Sequence, residues 1–176
     1  VIVGNEFYLR HRSPADLDYL LQYIRQVRTG LQDHPVPVAT AEIDGFMFDW
    51  ADDRHAIISG IKPEYRPIID ELDIIMVHIY PFWNGMPIDG AAAYTINHYN
   101  AIRAFMKRTY GDQKRVIIGE TGWPSGGQPL GQAIPSLENQ RRYLREFLAM
   151  ADTTGVDYLY FDTFDELWKI EEPGRV

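Results

Sequence analysis

The chain has 176 residues, no cysteine and a net charge of −8, and 45% of its residues are hydrophobic. This composition predicts one globular domain and excludes a largely disordered chain. The acidic excess argues against nucleic acid or an anionic membrane surface as the main partner. The lack of cysteine excludes disulfides and thiolate chemistry. No apolar run approaches the roughly 20 residues of a membrane-spanning helix, so no span is predicted.

Short apolar runs of strand length alternate with longer segments of helical periodicity. The predicted strands are residues 1–3, 36–41, 74–80, 115–119 and 157–161. The predicted helices are residues 14–30, with Ser13 as N-cap and Gly30 at the end, then 91–110 and 136–154, and residues 42–60 are expected to be a loop with one helical turn. Because the chain opens directly on the β-branched triplet Val1 to Val3, we expect it to be a fragment of a longer protein.

Strands this apolar are buried on both faces, which indicates a parallel sheet covered by helices. Two α/β architectures fit, an open doubly wound sheet or part of a TIM (β/α)₈ barrel. A full barrel takes about 250 residues, so five of its eight βα units should need about 160 residues. An open sheet would normally carry a glycine-rich phosphate loop after its first strand, and the turn at Gly4 is not one.

Carboxylates and aromatic residues follow the predicted strands, where parallel α/β folds place their active sites. They occur at five places, which are Asn5-Glu6, Glu42, Tyr80 to Trp83, Glu120 to Ser125 and Asp165 to Lys169. Aromatic faces stack on sugar rings, and carboxylates bond hydroxyl groups and supply acid and nucleophile. The pattern therefore predicts a carbohydrate site.

Glu6 follows the first strand and Glu120 follows the fourth. Retaining glycosidases place two carboxyl groups about 5–5.5 Å apart across the scissile bond. Two strand ends on one barrel rim can provide that separation. Either glutamate alone would more simply be a solvated or ion-paired loop acid, but the two together favour a catalytic pair.

Two strings make the prediction specific, Gly4-Asn5-Glu6 and Gly119 to Ser125, which reads Gly-Glu-Thr-Gly-Trp-Pro-Ser. They resemble the two catalytic strings of glycoside hydrolase family 17, the β-1,3-glucanase family of clan A. Two further strings are similar to ones that follow the family's sixth and eighth strands, namely Tyr80 to Trp83 and Phe164 to Lys169. The resemblance implies that residues 1–176 are the C-terminal portion of the barrel, strands four to eight, and that strands one to three are absent from this chain.

By that resemblance Glu6 is the general acid/base and Glu120 the nucleophile of a retaining mechanism with a covalent glycosyl-enzyme. Asn5 matches the clan's asparagine that bonds the sugar 2-hydroxyl, and Glu166 and Lys169 match residues that hold hydroxyl groups and the acid/base network. The hydroxyl of Tyr80 is expected to orient Glu120. The expected sugar-binding rings are Phe82, Trp83 and Trp123, with Trp123 also a candidate support for the nucleophile. His78 stands where the plant members frequently have asparagine.

The predicted function is hydrolysis of β-1,3-glucan. The alternatives are a β-1,3-glucanosyltransferase using the same glutamates, a glucan-binding barrel without activity, and an inert fragment. The expected partner is a β-glucan oligosaccharide or polysaccharide, together with the missing N-terminal barrel strands. The five histidines show no metal-ligand spacing, so we expect no metal and no cofactor. We expect the protein to be extracellular or periplasmic.

Overall fold

The computed structural model describes residues 1–34, 36–52, 56–162 and 164. The strands of this part of the chain are β1 (Ile2–Asn5), β2 (Ala39–Ile43), β3 (Phe48–Trp50), β4 (Ile58–Ile61), β5 (Ile74–His78), β6 (Arg115–Thr121) and β7 (Tyr158–Tyr160). Its helices are α1 (Phe7–His11), α2 (Pro14–Gly30), α3 (Asp44–Met47), α4 (Arg66–Glu71), α5 (Ala91–Tyr110) and α6 (Leu137–Thr154). Among these helices, none has the length and apolar character needed to cross a bilayer.

Five strands form one sheet in the order β1-β2-β5-β6-β7, and β3 and β4 form a separate antiparallel pair. β1 is parallel to β2, with Asn5 opposite Ala41. β2 is parallel to β5 in continuous register, which places Ile43 opposite His78. The carboxyl ends of β1, β2 and β5 therefore meet at one edge of the sheet, where α/β folds carry their ligand sites.

The chain divides into two compact units, Val1–His78 with Tyr99–Gly119, and Ile79–His98 with Glu120–Val176. In the first unit, α2 buries Leu17, Leu20 and Ile24, and α4 buries Ile68 and Ile69. The apolar positions of α2 follow helical spacing, so one face of the helix is apolar.

The second unit has an aromatic core built around α6. Tyr143 and Phe147 of α6 are fully buried, and their rings lie 6.0 Å apart and nearly parallel. Phe147 also meets Tyr158 of β7 edge to face at 4.9 Å. Such offset and edge-to-face pairs stabilise by about 0.5–1.5 kcal/mol each beyond the area they bury.

The predicted helices are present, with bounds within one residue of those expected. The two N-cap serines differ in their hydrogen bonds. The side chain of Ser136 caps α6 by accepting from the amide of Asn139, whereas the side chain of Ser13 makes no capping hydrogen bond to α2. Ser13 is the N-cap residue of α2, as predicted, and it has an extended backbone, but its side chain does not cap the helix.

All five predicted strands are present, and the bounds of each differ from the prediction by one to three residues at one or both ends. β2 begins at Ala39 instead of 36, because Pro37 has no N–H to offer a sheet ladder. β6 continues to Thr121, since a polar side chain does not end a strand whose backbone remains paired, and the amide of Ile79 donates to the carbonyl of Glu120 at 3.0 Å.

The helical turn expected within residues 42–60 is present as α3, but the rest of this segment is not a loop. It also contains β3 and the start of β4, and these short strands pair over three residue positions. The short helices α1 and α4 were also not expected. Each spans fewer than seven residues, too few to show a helical period in the sequence.

Candidate active site

Glu6 lies directly after β1, in a turn that needs unusual backbone angles. Gly4 has φ 81°, a left-handed conformation that favours glycine, and a Cβ there would also press on Cδ1 of Leu20 at 2.9 Å. Glu6 itself is left-handed, with φ 49°, which is uncommon for a residue with a side chain. Its amide donates to the carbonyl of Ala41 at 2.9 Å, which ties the turn to β2.

The Glu6 carboxylate, whose side chain is 14% exposed, contacts a histidine and an arginine. Its Oε1 lies 3.2 Å from Nδ1 of His78, a ring that is 1% exposed, and its Oε2 accepts from Arg10 at 3.1 Å. Arg10 is largely exposed, so this ion pair contributes little to stability. The buried His78 ring instead fixes the direction of the carboxylate.

The His78 ring also packs against β6. A Cβ on Gly119 would lie 2.9 Å from Cδ2 of His78, so the strand approaches the ring closely only because residue 119 is glycine. Gly119 is followed immediately by Glu120. The imidazole therefore fills the space between the Glu6 carboxylate and the backbone of β6.

Glu120 lies near the end of β6 and is held by a tyrosine. The hydroxyl of Tyr80 donates to Oε2 of Glu120 at 2.8 Å, the contact that the sequence led us to expect. A hydrogen bond to an ionised carboxylate is about twice as strong as a neutral one. The position and orientation of Glu120 are therefore set both by β6 and by Tyr80.

The strand end that carries Glu120 rests on buried hydroxyl groups. The hydroxyl of Thr121 donates to the carbonyl of Ile79 at 2.8 Å and lies 2.5 Å from the hydroxyl of Tyr143. The Tyr143 hydroxyl also lies 2.8 Å from that of Thr95 on α5. Burial raises the pKa of Tyr143, so its hydroxyl stays protonated. Satisfied buried networks of this kind are rigid.

The three aromatic residues predicted at the site differ in exposure. Trp83 is 46% exposed, whereas Phe82 and Trp123 are buried. Phe82 meets both tryptophan rings nearly at right angles, with centroids 5.7 and 5.6 Å apart. Trp123 donates from Nε1 to the carbonyl of Ile134 at 3.1 Å. Of the three, Trp83 alone is exposed enough for a sugar ring to reach it, and it packs on Phe82, which in turn packs on Trp123.

Glu42 is a residue that the sequence placed at a strand end but did not single out. It is 1% exposed, and burial raises its pKa even though it accepts several hydrogen bonds. Oε2 accepts from the amide of Tyr8 at 2.8 Å and the hydroxyl of Tyr65 at 3.1 Å, and Oε1 accepts from the amide of Ile43 at 3.0 Å. The signal in the sequence was its position, since Glu42 directly follows a predicted strand.

The other predicted residues divide in two groups. Asn5 ends β1 and is exposed. Glu166 and Lys169 lie outside the described residues, as do Asp165 and Trp168.

Glu6 and His78 could each offer one ligand atom to a cation. The hydrogen bond between these two side chains already explains why they lie close together. The expectation that the protein needs no metal or cofactor stays a prediction.

A model of the BtgE/BtgC glycoside hydrolase domain matches residues 1–176. A probable glucan endo-1,3-beta-glucosidase, btgC of Aspergillus clavatus, is 29% identical over 97% of this chain and 24% of its own length. The glycoside hydrolase family 17 beta-1,3-glucanosyltransferase of Rhizomucor miehei is 31% identical, with a TM-score of 0.74 over 98% of this chain and 55% of that one. An active-site mutant of that enzyme, solved with laminaritriose, gives a TM-score of 0.73 over 96% of this chain.

A parallel sheet of five strands, with carboxylates at its strand ends, defines the class of fold, an α/β structure built on part of a TIM (β/α)₈ barrel. The chain belongs to the BtgE/BtgC glycoside hydrolase domain family. The resemblance to glycoside hydrolase family 17 and the prediction of an α/β fold, the C-terminal portion of the barrel, are confirmed. The chain spans about a quarter of the length of the curated Aspergillus relative.

Proposed function

We propose that the protein containing this chain is a retaining glycoside hydrolase that cleaves β-1,3-glucan, with Glu6 as general acid/base and Glu120 as nucleophile. The observation that carries the proposal is the way each carboxylate is held. His78 contacts Glu6 and Tyr80 donates to Glu120, and these two rings are only two residues apart on one segment. The names of the relatives support glucan as substrate.

In the first step a carboxylate oxygen of Glu120 attacks the anomeric carbon, and the bond from that carbon to the glycosidic oxygen breaks. Glu6 gives its proton to the departing oxygen, which leaves as a sugar hydroxyl. In the second step Glu6 takes a proton from water, the water oxygen attacks the anomeric carbon, and the ester to Glu120 breaks. Two inversions at that carbon retain its configuration.

In this scheme the surrounding residues position the two carboxyl groups and the substrate. Tyr80 orients Glu120 for attack, and Trp83 offers its exposed face to a glucose ring. Phe82 supports the Trp83 ring, and Trp123 packs against Phe82. Asn5 bonds the 2-hydroxyl, and Glu166 and Lys169 bond further hydroxyl groups. Preorganised groups of this kind lower the barrier because little rearrangement is needed at the moment of reaction.

The second candidate is a β-1,3-glucanosyltransferase, favoured by the Rhizomucor miehei enzyme at 31% identity. Both activities share the first step and differ in whether water or a sugar hydroxyl attacks the glycosyl-enzyme. The third candidate is a barrel that binds glucan without cleaving it. An extracellular or periplasmic location would suit an enzyme acting on an external glucan, and it belongs to the same proposal.

We also propose that residues 1–176 are one catalytic-barrel segment, strands four to eight, completed by further strands in the whole protein. Within the part of the chain that the structure describes, β1 and β7 each have one neighbour in the sheet order, and Ile2 of β1 is 52% exposed. Uncovered strand edges of this kind promote association. A cooperative thermal melt of residues 1–176 as an isolated monomer would contradict this proposal.

The test of function is product analysis of the full-length protein with a β-1,3-gluco-oligosaccharide in ¹⁸O-water. Shorter products carrying one ¹⁸O mean hydrolysis, and longer, largely unlabelled products mean glucanosyl transfer. Glu120→Gln should abolish both, whereas Glu138→Gln, at an exposed position in the first turn of α6, should change neither. If the wild type forms no product, the remaining candidate is the barrel that binds glucan without cleaving it. Activity in Glu120→Gln would show that another residue is the nucleophile.

A further inference from the structure

Three successive residues of β2 hold the backbone around Glu6 by hydrogen bonds. Together they bond to every second residue of this segment, namely Gly4, Glu6 and Tyr8. The hydroxyl of Thr40 donates to the carbonyl of Gly4 at 3.2 Å, and the carbonyl of Ala41 accepts from the amide of Glu6 at 2.9 Å. The carboxylate of Glu42 accepts from the amide of Tyr8 at 2.8 Å. Because β2 is itself paired to β5 along its full length, its position is fixed independently of the turn.

The amide of Tyr8 is one of the first N–H groups of α1, which have no partner within the helix. Such groups are normally capped by the side chain of the residue just before the helix. That residue is Glu6, and its side chain makes no capping hydrogen bond. Glu42 caps the helix in its place, so the Glu6 carboxylate is directed toward His78 instead of back onto its own backbone.

Glu42 is well suited to fix a backbone position. Its residue is 1% exposed, and both of its carboxylate oxygens accept hydrogen bonds, one of them from the hydroxyl of Tyr65. Tyr65 is fully buried, and the Tyr65 ring meets the Tyr8 ring edge to face at 5.9 Å. A buried carboxylate that accepts from donors on three separate segments cannot shift without breaking several bonds.

We propose that Glu42 is a positioning residue that acts through Glu6: it caps α1 from β2 and thereby keeps the Glu6 carboxylate aimed at the glycosidic oxygen. This inference rests on the proposed role of Glu6 as acid/base. If Glu42 acts in this way, its substitution should affect one of the two events of the first step and not the other. Protonation of the leaving oxygen should suffer when Glu42 is changed, whereas the attack by Glu120 should not.

The kinetic test compares two substrates with the same sugar and different leaving groups, in the full-length protein. A β-1,3-gluco-oligosaccharide needs a proton on its leaving oxygen, but a 2,4-dinitrophenyl β-glycoside does not. Glu42→Gln removes one acceptor and should lower kcat/KM on the oligosaccharide by about 10- to 100-fold. On the dinitrophenyl substrate kcat/KM, which reports the first step alone, should fall by less than about threefold.

The structural test is hydrogen exchange of the free enzyme over residues 6–12, where Glu42→Gln should speed exchange at Tyr8. Tyr65→Phe removes one donor to Glu42 and should give a smaller change in both tests, which covers the case in which Glu42→Gln does not fold. The control is Ile69→Val, a buried change on α4. It should destabilise the protein slightly but leave the ratio of the two kcat/KM values unchanged.

An equal loss of kcat/KM on both substrates, or unchanged exchange at Tyr8, would overturn the proposal. If the wild type cleaves neither substrate, the proposed function fails instead. Hydrogen exchange at Tyr8 then tests by itself whether Glu42 fixes this turn. Faster exchange in Glu42→Gln would support that role, and unchanged exchange would refute it.

Discussion

Gly122, one residue beyond β6, is the position where a single methyl group should be most damaging. A Cβ built on Gly122 would overlap the carbonyl oxygen of Phe161 and would lie 3.0 Å from its carbonyl carbon. Both contacts are with backbone, which cannot rotate away as a side chain can. The amide of Phe161 donates to the carbonyl of Thr121 at 2.9 Å, so relieving the overlap in Gly122→Ala also breaks this hydrogen bond.

The expected cost follows from these two terms. Overpacking costs about 1–3 kcal/mol, and a lost backbone hydrogen bond adds about 0.5–1.5 kcal/mol. We therefore expect Gly122→Ala to lower the free energy of unfolding by about 2–4 kcal/mol, and for a domain of this size 1 kcal/mol shifts Tm by about 2–4 °C. The melting temperature should fall by about 4–16 °C.

The assay is thermal unfolding of the full-length protein, followed by circular dichroism, with Gly60→Ala as the matched control. Gly60 lies in β4, and a Cβ there would meet no atom within 4 Å. That substitution should leave Tm within about 2 °C, since it neither clashes nor demands a new backbone conformation. A melting temperature for Gly122→Ala equal to that of Gly60→Ala would refute the reasoning from close approach.

Three further predictions concern the proposed sugar platform Trp83, the half-buried Lys114 and the buried Glu42. Trp83→Ala should raise KM for a gluco-oligosaccharide about 2- to 12-fold, the equivalent of losing a stacking contact of about 0.5–1.5 kcal/mol, with Tm unchanged because the ring is 46% exposed. Lys114→Met should lower stability by about 1–2 kcal/mol in urea unfolding, since its ammonium donates to the carbonyls of Asp70 and Leu72 at the end of α4; an unchanged urea midpoint would contradict this. Burial raises the pKa of Glu42 above its usual 4.5, so folding favours its protonated form, and the stability of wild type relative to Glu42→Gln should be greatest below pH 4.5. It should fall as pH rises through the raised pKa, by at most about 1.4 kcal/mol per pH unit; a flat difference across acidic pH would show that Glu42 titrates normally.

The sequence predicted the elements whose patterns are long and the site residues whose positions are set by strands. Helical spacing over 20 residues predicted α5 with its observed bounds, and apolar runs predicted the five strands of the main sheet. Because Glu6 and Glu120 follow or end those strands, their positions followed from the same patterns. The contact from Tyr80 to Glu120 could be expected for the same reason.

The sequence did not predict features that depend on contacts between distant segments. Nothing in the residues around Glu42 shows that its carboxylate caps α1, which lies 34 positions earlier at Tyr8. The burial of Phe82 depends on two tryptophan rings, one of them far along the chain. The pairing of β3 with β4 was missed because each strand is shorter than the period-2 pattern needs to be recognised.

The left-handed backbone of Glu6 lowers local stability at the residue for which we propose a catalytic role. A residue with a Cβ at φ 49° is strained by about 1–2 kcal/mol relative to glycine, and asparagine tolerates this region better than glutamate does. A protein optimised for stability alone would carry glycine or asparagine at position 6. Directed evolution toward heat resistance, run without a selection for catalysis, should therefore discard this glutamate early, and a thermostable variant should be sought by strengthening β2 instead.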